Sequence, residues 1–476
     1  MLIILRRFFS TKYMVAPKYL QGEVPKSKEA YSRLLKLAIP SIIEMVFMSL
    51  IGSVDVVMVS RLGVEAIAAV GLAGQPRFIL LAMFFALNVG LTAIVARRKG
   101  ENRPSEANRA LRNALLIALM IVAVLVTLAL LFSREIMLIA GAKPETSEMA
   151  ATYFQIMIYF LPVEVITICI NAAQRGAGNT RTPLFANLTA NIVNIIFDYC
   201  FIYGNFGFPK LGVAGDAWAS GIGLCVGLIL SLYGVLRNNK EQQFLHLSFS
   251  DDWRLHKETV QAIFKIGGNS LIEQVAQRLG LFVYAIVIAN LGTKVFAAHQ
   301  VGMQFLSFSF QAGNGLSAAS TSLVGQMLGK KRPDHAIIYG KCSQRLALLI
   351  SLLIASSIII FRYPLVSIFL SSNDPNNAES IILAVKLLYI VAAFQPFQTT
   401  AVVLSGCLRG AGDNFFVAIV FIVCVAIIRP LFSIIAVNLL GWGLMGAWGA
   451  SIIDISLRVF LVQRRFAGSK WHNIAV

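Results

Sequence analysis

The chain is poor in charge. Asp, Glu, Lys and Arg make up only 13% of its 476 residues, against about a quarter in an ordinary soluble domain. It is poorer still in acid, with 23 Asp and Glu against 41 Lys and Arg. A chain that is 57% hydrophobic with so few charges is not expected to be a soluble domain. Six cysteines (Cys169, Cys200, Cys225, Cys342, Cys407 and Cys424) form no Cys-x-x-Cys pair, so neither a disulfide framework nor a zinc site is indicated. No strand followed by a Gly-Lys-Ser/Thr loop is present, which argues against an ATP-driven pump. No Ser-His-Asp set, metal-ligand cluster or redox motif appears, so no enzyme and no cofactor are expected.

What the chain has instead is a series of apolar runs, each about the 20 residues that cross a bilayer. They predict an all-α polytopic membrane protein with twelve spans: 34–60, 68–96, 110–132, 150–174, 183–203 and 213–236, then 263–289, 296–326, 341–362, 380–408, 415–438 and 446–467. The net charge of +18 is not a nucleic-acid footprint. Basic residues crowd alternate loops: Arg97, Arg98, Lys99, Arg103, Arg109 and Arg112 after span two, Lys330, Lys331 and Arg332 after span eight, and Arg464, Arg465 and Lys470 at the end. This positive-inside pattern puts both termini in the cytoplasm of a multi-pass plasma (inner) membrane protein.

The expected organisation is a cytoplasmic N-terminal tail (1–33), a first six-helix lobe (34–236), a cytoplasmic linker (237–262), a second six-helix lobe (263–467) and a short C-terminal tail (468–476). The opening Met1–Leu5 run is too short for a signal peptide and has Arg6-Arg7 on the wrong side. It reads as a disordered tail, or as an extension ahead of a start at Met14. The polar stretch around Ser248, Ser250, Asp251, Asp252 and Trp253 is expected to form a short surface helix.

The two lobes are copies. Residues 36–104 return without a gap at 265–333, so that Lys36 meets Lys265, Ser41 meets Ser270, Glu44 meets Glu273, Leu62-Gly63 meets Leu291-Gly292, and Thr92 meets Thr321. Pro162 and Pro396 stand at the same distance before Arg175-Gly176-Ala177-Gly178 and Arg409-Gly410-Ala411-Gly412. Those glycines read as tight turns and close helix approach. Doubling in so apolar a chain suggests the paired bundles of a secondary transporter.

Ionisable groups inside spans cost about 2.5–3.5 kcal/mol each even on lenient insertion scales, so each needs a reason. Asn187, Asn191, Asn194 and Asp198 recur at i, i+4, i+7 and i+11 on one face of span five. A carboxylate held by amides suits a cation or proton site; the bland alternative is interhelical hydrogen bonding. The repeat acts as a control, because the matching positions of the second lobe are Phe421, Val425, Ile428 and Phe432, all apolar. Asp55 in span one is likewise unmatched, its twin being Tyr284, and Pro40 in the same span is a candidate hinge. The twins Glu44 and Glu273 point to a shared structural duty, although Glu273 with Gln274 and Gln277 also makes a polar face. Glu164, whose twin is Gln398, sits in a Pro-loosened span. Asp454 and Arg458, at i and i+4, read as an internal ion pair, Arg429 as pairing within its own bundle, and His299 with Gln300 as polar packing.

These residues together resemble the multidrug and toxic compound extrusion (MATE) transporters. The resemblance runs from about 30 to 465 and rests on Val54-Asp55 with Ser60-Arg61-Leu62-Gly63, Gln75, Arg175 to Pro183, Asn191 and Asn194 with Asp198, Gly212 to Gly215, Glu273-Gln274, Gln326 with Leu328-Gly329, and Leu408 to Asp413. It implies two pseudo-symmetric six-helix bundles around a central V-shaped cleft, with export of organic cations against an inward flow of H+ or Na+. In the branch resembling the DNA-damage-inducible F proteins, the first-lobe cation site matches Asp55, Asn194 and Asp198, with Ser220 as the hydroxyl residue; a Na+ ion, if that is the coupling ion, belongs there. Another branch uses an acidic pair in the second lobe, and those positions here hold Gln277 and Gln398, which favours the first lobe. Asn191 is added to the coupling set, and Glu164, Glu273, Gln277, Gln398 and Asn187 are the candidates to line the substrate path. The expected partners are amphiphilic or cationic small molecules and the lipid bilayer, with the protein acting as a monomer. The rival reading is a flippase for lipid-linked saccharides of the same wider superfamily, which would line its path with Arg and Lys.

Overall fold

The computed structural model describes residues 7–141, 144–237, 244–248, 250–370 and 378–474. Among the described residues there is no strand, and the helices follow the predicted spans. The first half contains α1 (Ser27–Ser60), α2 (Val64–Gly100), α3 (Pro104–Leu131), the short α4 (Ser133–Ile139), α5 (Pro144–Tyr159), α6 (Leu161–Gly176), α7 (Arg181–Tyr203) and α8 (Val213–Leu236). The second contains α9 (Lys257–Ala289), α10 (Thr293–Gly329), α11 (Pro333–Ile360), the short α12 (Arg362–Phe369), α13 (Ala378–Gly410), α14 (Asn414–Leu439) and α15 (Gly443–Ala467).

Ten of these helices are long and apolar enough to cross a membrane, and α5 with α6 form an eleventh span bent by 47°. The predicted span 150–174, expected to be loosened by its proline, is broken into two helices. The cause is Pro162 in the first turn of α6, which has no N–H to continue the ladder from α5. Its twin Pro396 lies inside the unbroken helix α13. The twelfth span is α10, long enough but too polar for a lone membrane helix. Its Ser309, Ser317, Ser320, Thr321, Ser322 and Gln326 are buried within the protein, where several hydroxyls donate to carbonyls (Ser317 Oγ to Val402 O at 3.1 Å, Thr321 Oγ1 to Gly406 O at 2.8 Å). A helix covered by protein need not be apolar all round.

The repeat extends to backbone detail. Gly63 and Gly292, twins at the α1–α2 and α9–α10 turns, have φ of 116° and 108°, and Asn102 and Lys331, twins at the next turn, have 58° and 56°. Thr92 Oγ1 donates to Ala172 O at 3.1 Å, as its twin Thr321 does to the twin carbonyl of Gly406. Beside these bonds the arginine-glycine motifs let helices touch. A Cβ on Gly176 would stand 2.7 Å from Thr92 O, and one on Gly410 would stand 2.2 Å from Thr321 O. The motif arginines hold the twin glutamates: Arg175 Nη1 donates to Glu44 Oε1 at 2.8 Å, and Arg409 Nη2 donates to Glu273 Oε1. Both glutamates are buried.

By contacts the chain divides into two compact units, Ile43–Leu271 and Met1–Ile42 with Ile272–Val476. The divisions fall inside α1, just past Pro40, and inside α9, not in the polar linker. The unit that includes residues 1–42 is built on two buried apolar clusters, one of which takes in Met14, Leu34, Leu323, Cys407 and Trp471. Residues 7–26 before α1 are therefore packed in place, while the Met1–Leu5 run read as a disordered tail lies outside the described residues. Met14 is buried, Thr11 Oγ1 donates to Pro25 O at 2.7 Å, and Arg332 Nη2 donates to Glu23 O at 3.0 Å. In α14 the backbone opens into wider π turns at Ile422–Ile428 and Ile435–Leu439 on either side of Arg429-Pro430. Such turns take up the bond that a proline removes. Arg429 Nε donates to Asp454 Oδ2 at 2.8 Å, closer than Arg458 Nη2 at 3.5 Å, so the expected i, i+4 pair is the weaker part of a triad.

In the Ile43–Leu271 unit, the described part of the linker is pinned rather than helical. Arg112 Nη1 donates to Asp251 Oδ2 at 2.8 Å, and Ser248 N donates to the same oxygen at 3.2 Å. That carboxylate offers the backbone a turn in place of the expected short helix; residues 238–243 and 249 lie outside the described residues.

Filling the tightest of these crossings tests them. Gly410→Ala is expected to destabilise the protein by about 1–3 kcal/mol through overpacking. Gly449→Ala, in a helix where nothing lies within 4 Å, is expected to be neutral or stabilising by up to about 1 kcal/mol. Thermal unfolding of the two detergent-solubilised variants measures the difference.

Candidate functional site

The stripe of α7 divides between two neighbourhoods. Asn187 and Asp198 are eleven residues apart, about 16 Å along a helix, so the two ends meet different partners. At one end Asn187 Nδ2 donates to Glu44 Oε1 at 2.6 Å, joining the Glu44–Arg175 pair, while Asn171 Nδ2 lies 3.4 Å from Asn187 Oδ1. Asn191 turns back on its own helix and donates to Asn187 O at 2.7 Å. Neither reaches the acids at the other end.

There, Asn194 Nδ2 donates to Asp198 Oδ2 at 2.9 Å and to Ser220 Oγ at 3.2 Å. Asp198 is fully buried and Asn194 nearly so. Asp55, half-buried on α1, lies close enough for its charge to act on Asp198 and Asp216. Four predicted residues, Asp55, Asn194, Asp198 and Ser220, thus occupy one neighbourhood within the Ile43–Leu271 unit.

Three further residues complete it, and the sequence reading passed over all three. Asp216, in the first turn of α8, is 3% exposed and lies near enough to Asp198 and to Tyr153 of α5 for their charges to interact. Arg77 of α2 donates from Nη2 to Glu164 Oε2 at 2.7 Å and lies near enough to Asp216 for their charges to interact. Asp216 and Arg77 carried a signal, since each is an ionisable group inside a predicted span and so demanded a reason. Asp216 is easily passed over because an acid in a helix's first turn already has one, the helix dipole. Tyr153 carried no signal.

Asp55, Asp198 and Asp216 each keep one buried carboxylate oxygen without a hydrogen-bond partner. Glu44 and Asp454 also keep one such oxygen, but they and Glu273 each form a salt bridge with an arginine. Among the described residues, no three His, Cys, Asp or Glu side chains form a group suited to a metal ion. The site's chemistry is therefore that of clustered carboxyl oxygens with an amide and two hydroxyls nearby, able to take up a proton or a small monovalent cation.

The remaining candidates lie elsewhere or are already engaged. Glu164 is paired with Arg77 and Glu273 with Arg409. Gln277 is half-buried on α9, and Gln398 is buried in α13 with Oε1 unpartnered. Pro40 lies inside α1, which continues helical to Ser60.

Comparisons agree with this architecture. A probable multidrug resistance protein NorM of Thermotoga maritima is 29% identical over 466 residues, covering 98% of each chain. An uncharacterized transporter, YisQ, of Bacillus subtilis is 27% identical, covering 92% of this chain and 94% of its own. A solved MATE-family multidrug resistance transporter of the MOP superfamily, in an outward-facing conformation, superposes with a TM-score of 0.85 at 22% identity, covering 92% of this chain and 96% of its own; it shares the fold. The MatE family model matches residues 40–200 and 270–435, most of both halves. The chain belongs to the MATE family of multi-pass membrane transporters.

Proposed function

We propose that this protein is a secondary active antiporter that exports organic cations and related drugs by alternating access, with Asp55, Asp198 and Asp216 taking up the coupling ion. It would work as a monomer in the plasma membrane, with both termini cytoplasmic as the basic loops suggest. The substrate class is supported by the names of its relatives, among them the NorM-type multidrug resistance protein of Thermotoga maritima.

One observation carries the mechanism: Asp55, Asp198 and Asp216 gather in one neighbourhood, and each keeps a buried carboxylate oxygen without a hydrogen-bond partner. Neighbouring carboxylates resist being ionised together, so taking up a proton relieves the cluster. This favours H+ over Na+ as the coupling ion. Taking up a proton removes negative charge, and a cationic substrate that senses that charge is released. Such coupling requires the ion to bind one state more tightly than the other. Arg429, a basic residue that a flippase could use to line its path, is already engaged by Asp454.

In proteoliposomes loaded with ethidium, an imposed pH gradient is expected to drive efflux and an imposed Na+ gradient is not; the reverse result would move the site to sodium. Asp198→Asn and Asp55→Asn are each expected to cut ion-driven efflux by at least about tenfold, because the group that discriminates between states is gone. Efflux that persists in both variants refutes the antiporter site.

The two neighbourhoods of α7 should separate by the same assay. Asp216→Asn is expected to impair ion-driven efflux as Asp198→Asn does. Asn191→Ala, which removes only a bond to its own helix, is expected to leave the dependence on the coupling ion unchanged. Initial rates across a range of external pH distinguish them.

A further inference from the structure

Arg77 is a cation beside a cluster built to bind cations, and nothing in the antiporter scheme uses it. Its guanidinium donates through Nη2 to Glu164, while its buried Nε has no hydrogen-bond partner. Two carboxylates bear on the residue. Glu164 on α6 is a carboxylate already in salt-bridge contact at 2.7 Å. Asp216 on α8 is near enough for its charge to act on Arg77, and it keeps one buried oxygen unpartnered. Facing this arginine and the acids are Asp55 from α1, Tyr153 from α5, Glu164 from α6, Asp198 from α7 and Asp216 from α8.

We propose that Arg77 is a tethered counter-cation, a positioning residue that competes with the coupling ion for Asp216 and is restrained by Glu164. The inference rests on the antiporter reading of the carboxylate cluster. One guanidinium charge cannot fully neutralise two carboxylates. The share taken by Glu164 therefore sets how much remains to oppose an arriving proton or cation at Asp216. With the cluster empty, Arg77 offsets part of its negative charge, which limits the cost of burying unpaired carboxylates. With the cluster loaded, that charge is no longer needed there, and Glu164 retains the arginine. Glu164 thus acts on the ion only through Arg77 and need not touch substrate.

The sign of the effect on ion binding distinguishes this role from a structural salt bridge. Arg77→Gln removes the competitor, so the coupling ion should half-saturate transport at a concentration lower by about tenfold, the scale on which one neighbouring charge acts. Glu164→Gln releases the competitor towards Asp216, so half-saturation should move the other way, to a concentration higher by a similar factor. The double variant Arg77→Gln/Glu164→Gln should fall between them, and Arg77→Lys should stay near the parent. A purely structural pair would lower thermal stability in both single variants and leave half-saturation where it was, or move it in one direction for both.

The experiment measures initial ethidium efflux from proteoliposomes against coupling-ion concentration for these four variants and for Asp198→Asn, with thermal unfolding of each protein alongside. Opposite shifts in the two single variants support the proposal. Unchanged or same-direction shifts overturn it, provided Asp198→Asn abolishes coupling. If Asp198→Asn transports as the parent does, the antiporter reading fails first and the role of Arg77 fails with it.

Discussion

A charge taken out of water has to be answered within the protein, and this constraint organises both halves of the chain. Removing one partner of a buried ion pair typically costs about 3–5 kcal/mol, so such pairs persist only where the fold holds them in place. The twins Glu44 and Glu273 are answered by the twin arginines Arg175 and Arg409. Each arginine stands next to the glycine that lets its helix approach a threonine carbonyl. Close packing and charge pairing are therefore built by the same four-residue motif, twice. This also explains why the motif is an arginine followed by glycines rather than a glycine turn alone.

Against that shared scaffold, the two halves differ in where they leave charge unanswered. At the positions of Asp55, Asn194 and Asp198 the second half has Tyr284, Ile428 and Phe432. Its buried acid Asp454 instead has two arginines. The first half gathers Asp55, Asp198 and Asp216, which form no salt bridge among the described residues, whereas Glu44, Glu164, Glu273 and Asp454 each pair with an arginine. Unmatched buried acid is a liability for stability, and it is also the condition for taking up a cation.

Much of this was legible from the residues, for physical reasons that differ by feature. The bundles, the repeat and the spans follow from apolar run length and a fixed offset, both of which are one-dimensional. Asp55, Asn194 and Asp198 were legible because a polar group in an apolar span carries a cost that sequence alone exposes. The stripe of α7 was legible as a face but not as a division, since which end meets Glu44 and which meets Asp216 depends on neighbouring helices. Asp216 was hidden by its place in a helix's first turn, and Arg77 by standing alone. The polar helix α10 falls short of the hydropathy of the other spans, yet its run at 296–326 was long enough to be read as one.

The bend at Pro162 shows how one residue class can serve two ends in a duplicated fold. In the second half Pro396 leaves α13 continuous, with Gln398 buried just beyond it. In the first half Pro162 divides α5 from α6, with Tyr153 before the break and Glu164 after it. Tyr153 lies near Asp216 of the acid cluster, and Glu164 is linked to it through Arg77. The break thus falls between two groups that bear on the same cluster, whereas Pro396 has no acid cluster beside it among the described residues. The asymmetry in backbone accompanies the asymmetry in charge.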